Sequence, residues 1–286
     1  MDNGTAEGAA YLQDWHNRHP GATSSMLTTM TDDTGRNTYE VLAEALPRGS
    51  GPVLDLACGD GYLLELLRTD RDCLGTDWNI AELKAASHRL GLGAPLIRAD
   101  AASLPIVTGS LGAVGCHYAL MLLQPLEAVL AELARVLRPG GLLVCVLPAS
   151  VSEESPGPIS TFRAAWKEVT ANFPVEIPPI QDDRAVDPED LAVILADAGF
   201  TSVSVQSISV KNQMTVEETV ESVFLTYLPD LLSPAGLAQL RGRLEIGFSD
   251  IADDAGLITF RDLSDLVSAR RSKQALAAPR SDPLPA

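Results

Sequence analysis

The chain has 286 residues, 46% of them hydrophobic, enough for one large α/β domain with insertions or for two small domains. It carries 38 acidic against 21 basic residues, and the resulting net charge of −17 on average repels a polyanion, which argues against nucleic-acid partners. No apolar run approaches the ~18 residues of a bilayer span, and Met1-Asp2-Asn3-Gly4 lacks the basic and apolar stretches of a secretory leader. A cytoplasmic protein without membrane contact is expected. Cys58, Cys73, Cys116 and Cys145 form no C-x-x-C pair, so buried free thiols are expected instead of zinc or a redox pair.

Residues 6–47 read as helices broken at Pro20-Gly21 and around Asp32 to Gly35. Val53 to Ala57 is an apolar run that ends in Gly59-Asp60-Gly61 and passes into Tyr62 to Leu67 at helical spacing, which predicts a strand, a tight turn and a helix. Strands follow at Cys73–Thr76, Pro95–Ala99, Leu111–Cys116 and Leu142–Leu147, with helices at Ile80–Leu90 and Glu127–Leu137. Strands alternating with helices imply a mostly parallel sheet covered on both faces.

After Pro148 the regularity lapses. Residues 149–186 are broken by five prolines but carry Phe162, Trp166 and Phe173 at partly helical spacing. Asp187 to Gly199 returns to helix, with Asp187 as N-cap, Pro188 at the first helical position and Gly199 as the stop. Thr201 to Val210 alternates as a strand, Val216 to Leu244 is helical with a break near Pro229, and Leu263 to Ala269 is a last short strand. A disordered tail is expected over 272–286.

The segment Asp55-Leu56-Ala57-Cys58-Gly59-Asp60-Gly61 stands at the carboxyl end of the first strand, where open α/β sheets bind ligands. Its glycines allow close approach of the backbone, but neither register fits the dinucleotide pattern G-x-G-x-x-G. Asp55 and Asp60 would also flank the place of a pyrophosphate, so a nucleotide-binding dehydrogenase is disfavoured. S-adenosylmethionine has no phosphate and carries a sulfonium and an ammonium group, which suit acidic residues. Asp77, at the end of the second strand, is placed to accept from both ribose hydroxyls, and Asp100, at the end of the third, from the adenine amino group. A lone Asp at such a place is often a helix N-cap; three at successive strand ends beside the glycine turn argue for a ligand.

On these residues the chain resembles the class I methyltransferases. Val53–Gly61 is similar to their first motif, Gly75-Thr76-Asp77 to the acidic second motif, Arg98-Ala99-Asp100-Ala101 to the adenine-contacting motif, and Leu137–Leu142 to the turn before the fifth strand. The resemblance implies a Rossmann-like seven-stranded, mostly parallel sheet with helices on both faces and helical lid insertions. It divides the chain into an N-terminal lid (1–48), a cofactor-binding core (49–148), a lid insertion (149–186), continued core (187–210), a helical insertion (211–260) and a last core strand (261–271). It further implies cofactor contacts at Asp55, Ala57, Gly59, Gly61, Asp77, Asp100, Ala101 and His117, with Trp78 against the adenine and Arg36 or Tyr39 on the methionine carboxylate.

In this fold the methyl group points toward the residues after the fourth strand, here Cys116-His117-Tyr118-Ala119. The Asp/Asn-Pro-Pro-aromatic motif of amino methylases on nucleic acid is absent, and Cys116 follows glycine, not the proline usual in cytosine-C5 enzymes. His117 is a candidate general base, or it packs against the cofactor and donates one hydrogen bond; Tyr118 is a second catalytic candidate or a wall. Tyr11, Trp15 and His16, on an N-terminal helix, and Trp166 in the lid insertion are candidate substrate contacts. His16 and His19 lack an evident third ligand, so no metal is expected. The expected activity is methyl transfer to a small-molecule amine, hydroxyl or electron-rich aromatic carbon such as an indole, as in natural-product biosynthesis. The alternatives are an RNA methyltransferase or a nonmethylating enzyme on the same scaffold.

Overall fold

The computed structural model describes residues 3–49, 51–91, 93–149 and 157–273. Helices α1 (Asn3–Arg18), α2 (Ala22–Leu27) and α3 (Thr38–Ala45) come first, and α3 opens with a capping box in which Asn37 and Glu40 satisfy each other's backbone N–H groups. The core follows as β1 (Val53–Leu56), α4 (Tyr62–Leu67), β2 (Cys73–Asp77), α5 (Ile80–Leu90), β3 (Leu96–Arg98), β4 (Leu111–His117), α6 (Leu126–Val136) and β5 (Leu137–Pro148). Beyond it lie α7 (Pro158–Asn172), α8 (Pro188–Asp197), β6 (Phe200–Thr215), α9 (Val216–Phe224), α10 (Pro234–Ile251) and β7 (Leu257–Arg271).

The seven strands form one sheet in the order β3-β2-β1-β4-β5-β7-β6, parallel except for β7, which runs antiparallel to both neighbours. Successive side chains of a strand point to opposite faces, and the central strands are apolar on both. Leu54, Leu56, Val114, Cys116, Leu143 and Cys145 pack against α6 and α8. Val53, Ala113, Val144 and Val146 pack on the other face against α3 and α4. Each such leucine or valine contributes about 1.5–3 kcal/mol by leaving water. The α8 cap is as its residues predict, with the Asp187 carboxylate accepting from the N–H groups of Glu189 at 2.9 Å and Asp190 at 3.0 Å.

Strand boundaries differ from the sequence reading in three main places: β5 starts at Leu137, five residues before the expected Leu142, and β6 and β7 are both longer than expected. β6 runs on to Thr215 and β7 starts at Leu257, because residues 211–215 and 257–261 pair with each other beyond the end of β5, from Lys211 with Arg261 to Thr215 with Leu257. The β6 half of that extension, Lys211-Asn212-Gln213-Met214-Thr215, is largely polar, so no apolar alternation marks it as strand. The helical segment between the two strands is therefore shorter than the expected 211–260. Its helices α9 and α10 join α7 in a separate apolar cluster, in which Phe162, Trp166, Phe173 and Phe224 surround Val169, Leu240, Leu244 and Phe248. The tail expected to be disordered lies, from residue 274 on, outside the described residues.

Candidate active site

The turn after β1 is built for close approach. Ala57 takes φ 54, unusual for a residue with a side chain, and Gly59 takes φ 53. Gly61, at φ 81, opens α4 as its N-cap. A Cβ there would stand 3.0 Å from Leu90 Cδ1 and 3.1 Å from Ala86 Cβ, so this glycine lets α4 lie against α5. Unlike Asp55, Ala57 and Gly59, Gly61 does not line the central cavity, and the expectation of a cofactor contact there is corrected to one of packing.

That cavity, about 380 Å³, lies over the carboxyl ends of the parallel strands. Five carboxylates line it (Asp55, Asp60, Asp77, Glu82 and Asp100), and among the described residues no Lys or Arg does. Asp55 is 2% exposed, and its Oδ2 is buried without a hydrogen-bond partner. Burial first, then the Asp77 and Asp60 charges, push its carboxyl well above the usual carboxylate range. Asp77 is raised by burial too, although its two oxygens accept from Gly59 N at 2.9 Å and Asn79 N at 2.8 Å. Asp60 is balanced by Arg89 at 2.5 Å and held by the Ser24 hydroxyl at 2.6 Å. Asp100 accepts from Ala102 N at 2.9 Å, and Trp78, 55% exposed, also lines the cavity, with the Arg98 guanidinium 5.1 Å from its ring centre.

Asn79 and Glu82 are the residues that sequence reasoning missed. Asn79 caps α5, and its amide also donates to Gln13 O and Asn17 Oδ1 of α1, both at 3.1 Å. Glu82 receives Gly21 N at 3.0 Å and pairs with His16 Nδ1 at 2.8 Å. The remaining ring nitrogen of His16 lies 3.2 Å from the Tyr227 hydroxyl, and Tyr11 donates to Tyr227 O at 2.5 Å. The N-terminal helix and the loop after α9 thus close together over the cavity. Asn79 followed by Glu82 was legible as a helix start; its hold on α1 depends on a contact far away in the chain.

The other predicted residues divide. His16, Tyr39, Asp77, Trp78, Asp100, Ala101, His117 and Tyr118 all meet at the cavity. Arg36 does not: it pairs with Asp32 at 2.9 Å and Glu44 at 2.5 Å, away from the cavity, so the expectation that it holds the methionine carboxylate is corrected. Trp15, 2% exposed, is a core residue packed on Tyr227 at 4.6 Å between ring centres; Tyr11 stands behind the same tyrosine, and Trp166 belongs to the α7 cluster. None of these three lines the cavity. His117 stacks on Tyr39 with ring centres 3.5 Å apart, and its Nε2 lies 2.9 Å from Thr38 Oγ1. Burial pulls its imidazole down to about 3, so it is neutral at physiological pH and a weak proton acceptor.

The doubly wound sheet, with an acidic cavity at the carboxyl ends of its parallel strands, is the architecture that the resemblance to class I methyltransferases implies. Residues 54–145 match the family model described as "Methyltransferase domain". Among curated proteins, the chain is similar to the demethylmenaquinone methyltransferase of Corynebacterium urealyticum, 37% identical over 50% of this chain and 65% of that protein. It is also similar to the ubiquinone/menaquinone biosynthesis C-methyltransferase UbiE of Desulfotalea psychrophila, 36% identical over 37% of this chain and 45% of that one. The match thus spans less than two thirds of either relative. Among solved structures, the YcgJ protein of Bacillus subtilis shares the fold at a TM-score of 0.55 and 15% identity, covering 82% of this chain and 98% of that one. The [4+2]-cyclase SpnF does so at 0.50 and 17%, covering 82% and 79%.

Proposed function

We propose that this chain is a cytoplasmic enzyme of small-molecule biosynthesis that transfers the methyl group of S-adenosylmethionine to a compact acceptor. The observation that carries the reading is the Asp55 carboxylate, buried with one oxygen unpartnered in a cavity lined by five acids and, among the described residues, by no Lys or Arg. Such a site suits a ligand with two positive centres and disfavours a phosphate-bearing one. Asp77 at the tip of β2 would hold the ribose, Asp100 and the exposed face of Trp78 the adenine, and the turn through Ala57 and Gly59 the amino-acid end. When bound, the cofactor supplies a methyl group already activated by its sulfonium, so the protein's own work is to orient the acceptor and keep out water.

Tyr227 and the lid helix α1 contribute the exclusion of water, and Leu122 and Leu123 an apolar wall. The names of the curated relatives favour an acceptor of the phenol or hydroquinone kind over an amine. An RNA acceptor is disfavoured by the acidic lining. The test is incubation with methyl-labelled S-adenosylmethionine and an extract of the producing cell. Label in a low-mass product is expected; label in RNA, or substrate conversion without label, would overturn the proposal.

A further inference from the structure

Tyr118 follows β4 directly at φ 50, a conformation that costs a residue with a side chain about 1–3 kcal/mol and persists only where the surroundings hold it. Its N–H donates to Val146 O at 2.8 Å, and the residue lines the cavity. Its hydroxyl donates to Asp262 Oδ2 at 2.7 Å and lies 2.7 Å from Ser264 Oγ. Both partners come from β7, where Ser264 pairs with Pro148, the last residue of β5. They therefore stand at the carboxyl end of the parallel strands, on the acceptor side of the site.

The dyad is half-buried. Ser264 is fully buried, and burial raises both the Tyr118 phenol and the Asp262 carboxyl. A phenol has one proton and two lone pairs. The proton is given to Asp262, so the Ser264 hydroxyl must be a donor and fills one lone pair. One lone pair is left, on a residue of the cavity wall. His117, the other proton acceptor beside it, is desolvated and weakly basic.

We propose that Asp262 is a positioning residue of the acceptor site: it holds Tyr118 so that the phenol oxygen receives the hydroxyl proton of a phenolic acceptor, and it takes up the Tyr118 proton in turn. This rests on the methyltransferase reading above. The acceptor O–H bond breaks and its proton moves to the Tyr118 oxygen, while the Tyr118 proton moves to the Asp262 carboxylate, which becomes neutral. The electron pair left on the acceptor oxygen forms the new O–C bond to the methyl carbon, and the pair of the broken C–S bond stays on sulfur. Charge balances, because the sulfonium and the carboxylate are neutralised together. An acceptor without an ionisable hydroxyl gains nothing from this arrangement.

The probe is 1,4-naphthohydroquinone under anaerobic conditions, with binding followed by calorimetry in the presence of S-adenosylhomocysteine and turnover by transfer of label. Tyr118→Phe is expected to weaken probe binding about tenfold, the loss of one hydrogen bond, and to lower kcat by about 100-fold. Asp262→Asn keeps an acceptor for the Tyr118 hydroxyl but not a proton acceptor. It should bind the probe within about threefold of wild type and still lose about 100-fold in kcat, with part restored in Asp262→Glu. The double variant should be no slower than Tyr118→Phe, because the two act as a unit. Unchanged affinity for S-adenosylhomocysteine shows that each variant is folded. A kcat for Asp262→Asn within about threefold of wild type, losses that multiply in the double variant, or a wild type that binds S-adenosylhomocysteine but not the probe overturns the assignment. Failure of the wild type to bind either form of the cofactor would instead overturn the underlying methyltransferase reading.

Discussion

Replacing Asp55 by Asn should move stability and cofactor affinity in opposite directions. The folded Asp55 carboxyl holds its proton more tightly than the unfolded one because it is buried beside Asp77 and Asp60. The folded state therefore binds more protons between the two pKa values, and stability falls as pH rises through that window, starting near the ordinary value of about 3.9. Above the window the protein bears a buried charge with an unpaired oxygen. A neutral amide in its place still leaves a polar atom short of a partner, at about 1–3 kcal/mol, but removes the costlier charge. We expect the ligand-free variant to gain on the order of 1–2 kcal/mol at pH 7 and to lose part of the decline in stability above pH ~4. It should also bind S-adenosylmethionine about 10–100-fold more weakly, since a charge-assisted hydrogen bond is worth about 1.5–3 kcal/mol. Urea unfolding at several pH values gives the first quantity and titration calorimetry the second. A variant less stable than wild type that keeps its affinity would refute the reasoning.

Gly61→Ala meets both a left-handed backbone, at about 1–2 kcal/mol, and overpacking against Leu90 and Ala86, at about 1–3 kcal/mol. Urea unfolding should show a loss of about 2–5 kcal/mol, and a loss below about 1 kcal/mol would contradict the packing role. Arg36→Ala should leave affinity for S-adenosylmethionine within about twofold, since Arg36 pairs with Asp32 and Glu44 outside the cavity; a tenfold loss by calorimetry would return it to the site. Binding of the cationic cofactor should release protons from the raised Asp55 and Asp77 carboxyls and tighten as pH rises through their folded values. Calorimetry in two buffers of different ionisation enthalpy measures that release, and identical heats in both would argue that no proton leaves.

The core was legible because its signals are local. A strand, a glycine bend and a helix within Val53–Leu67, and an acidic residue at or just past the end of each of β1 to β3, are patterns of neighbouring residues, and strand alternation alone assigns Leu54 and Val53 to opposite faces. The roles of Gly61 and Arg36 were not legible, because a motif does not say whether a glycine faces a ligand or a neighbouring helix, nor which carboxylates an arginine will meet. The same holds for Trp15, an aromatic residue near a lid that became core.

What lies farthest in sequence was decided only by folding. The largely polar Lys211–Thr215 end of β6 is a strand because it pairs with residues 257–261 of β7, and it carries no apolar alternation of the kind that marks a half-buried strand. Glu82 meets His16 and Gly21 because α1 settles over α5, and Tyr118 meets Asp262 because β7 pairs with β5. Local propensity and hydrophobic period thus determined the frame and the acidic mouth of the site. Its roof and its polar partners on the acceptor side exist only once distant segments pack, since a hydrogen bond depends on position in space and not on spacing along the chain.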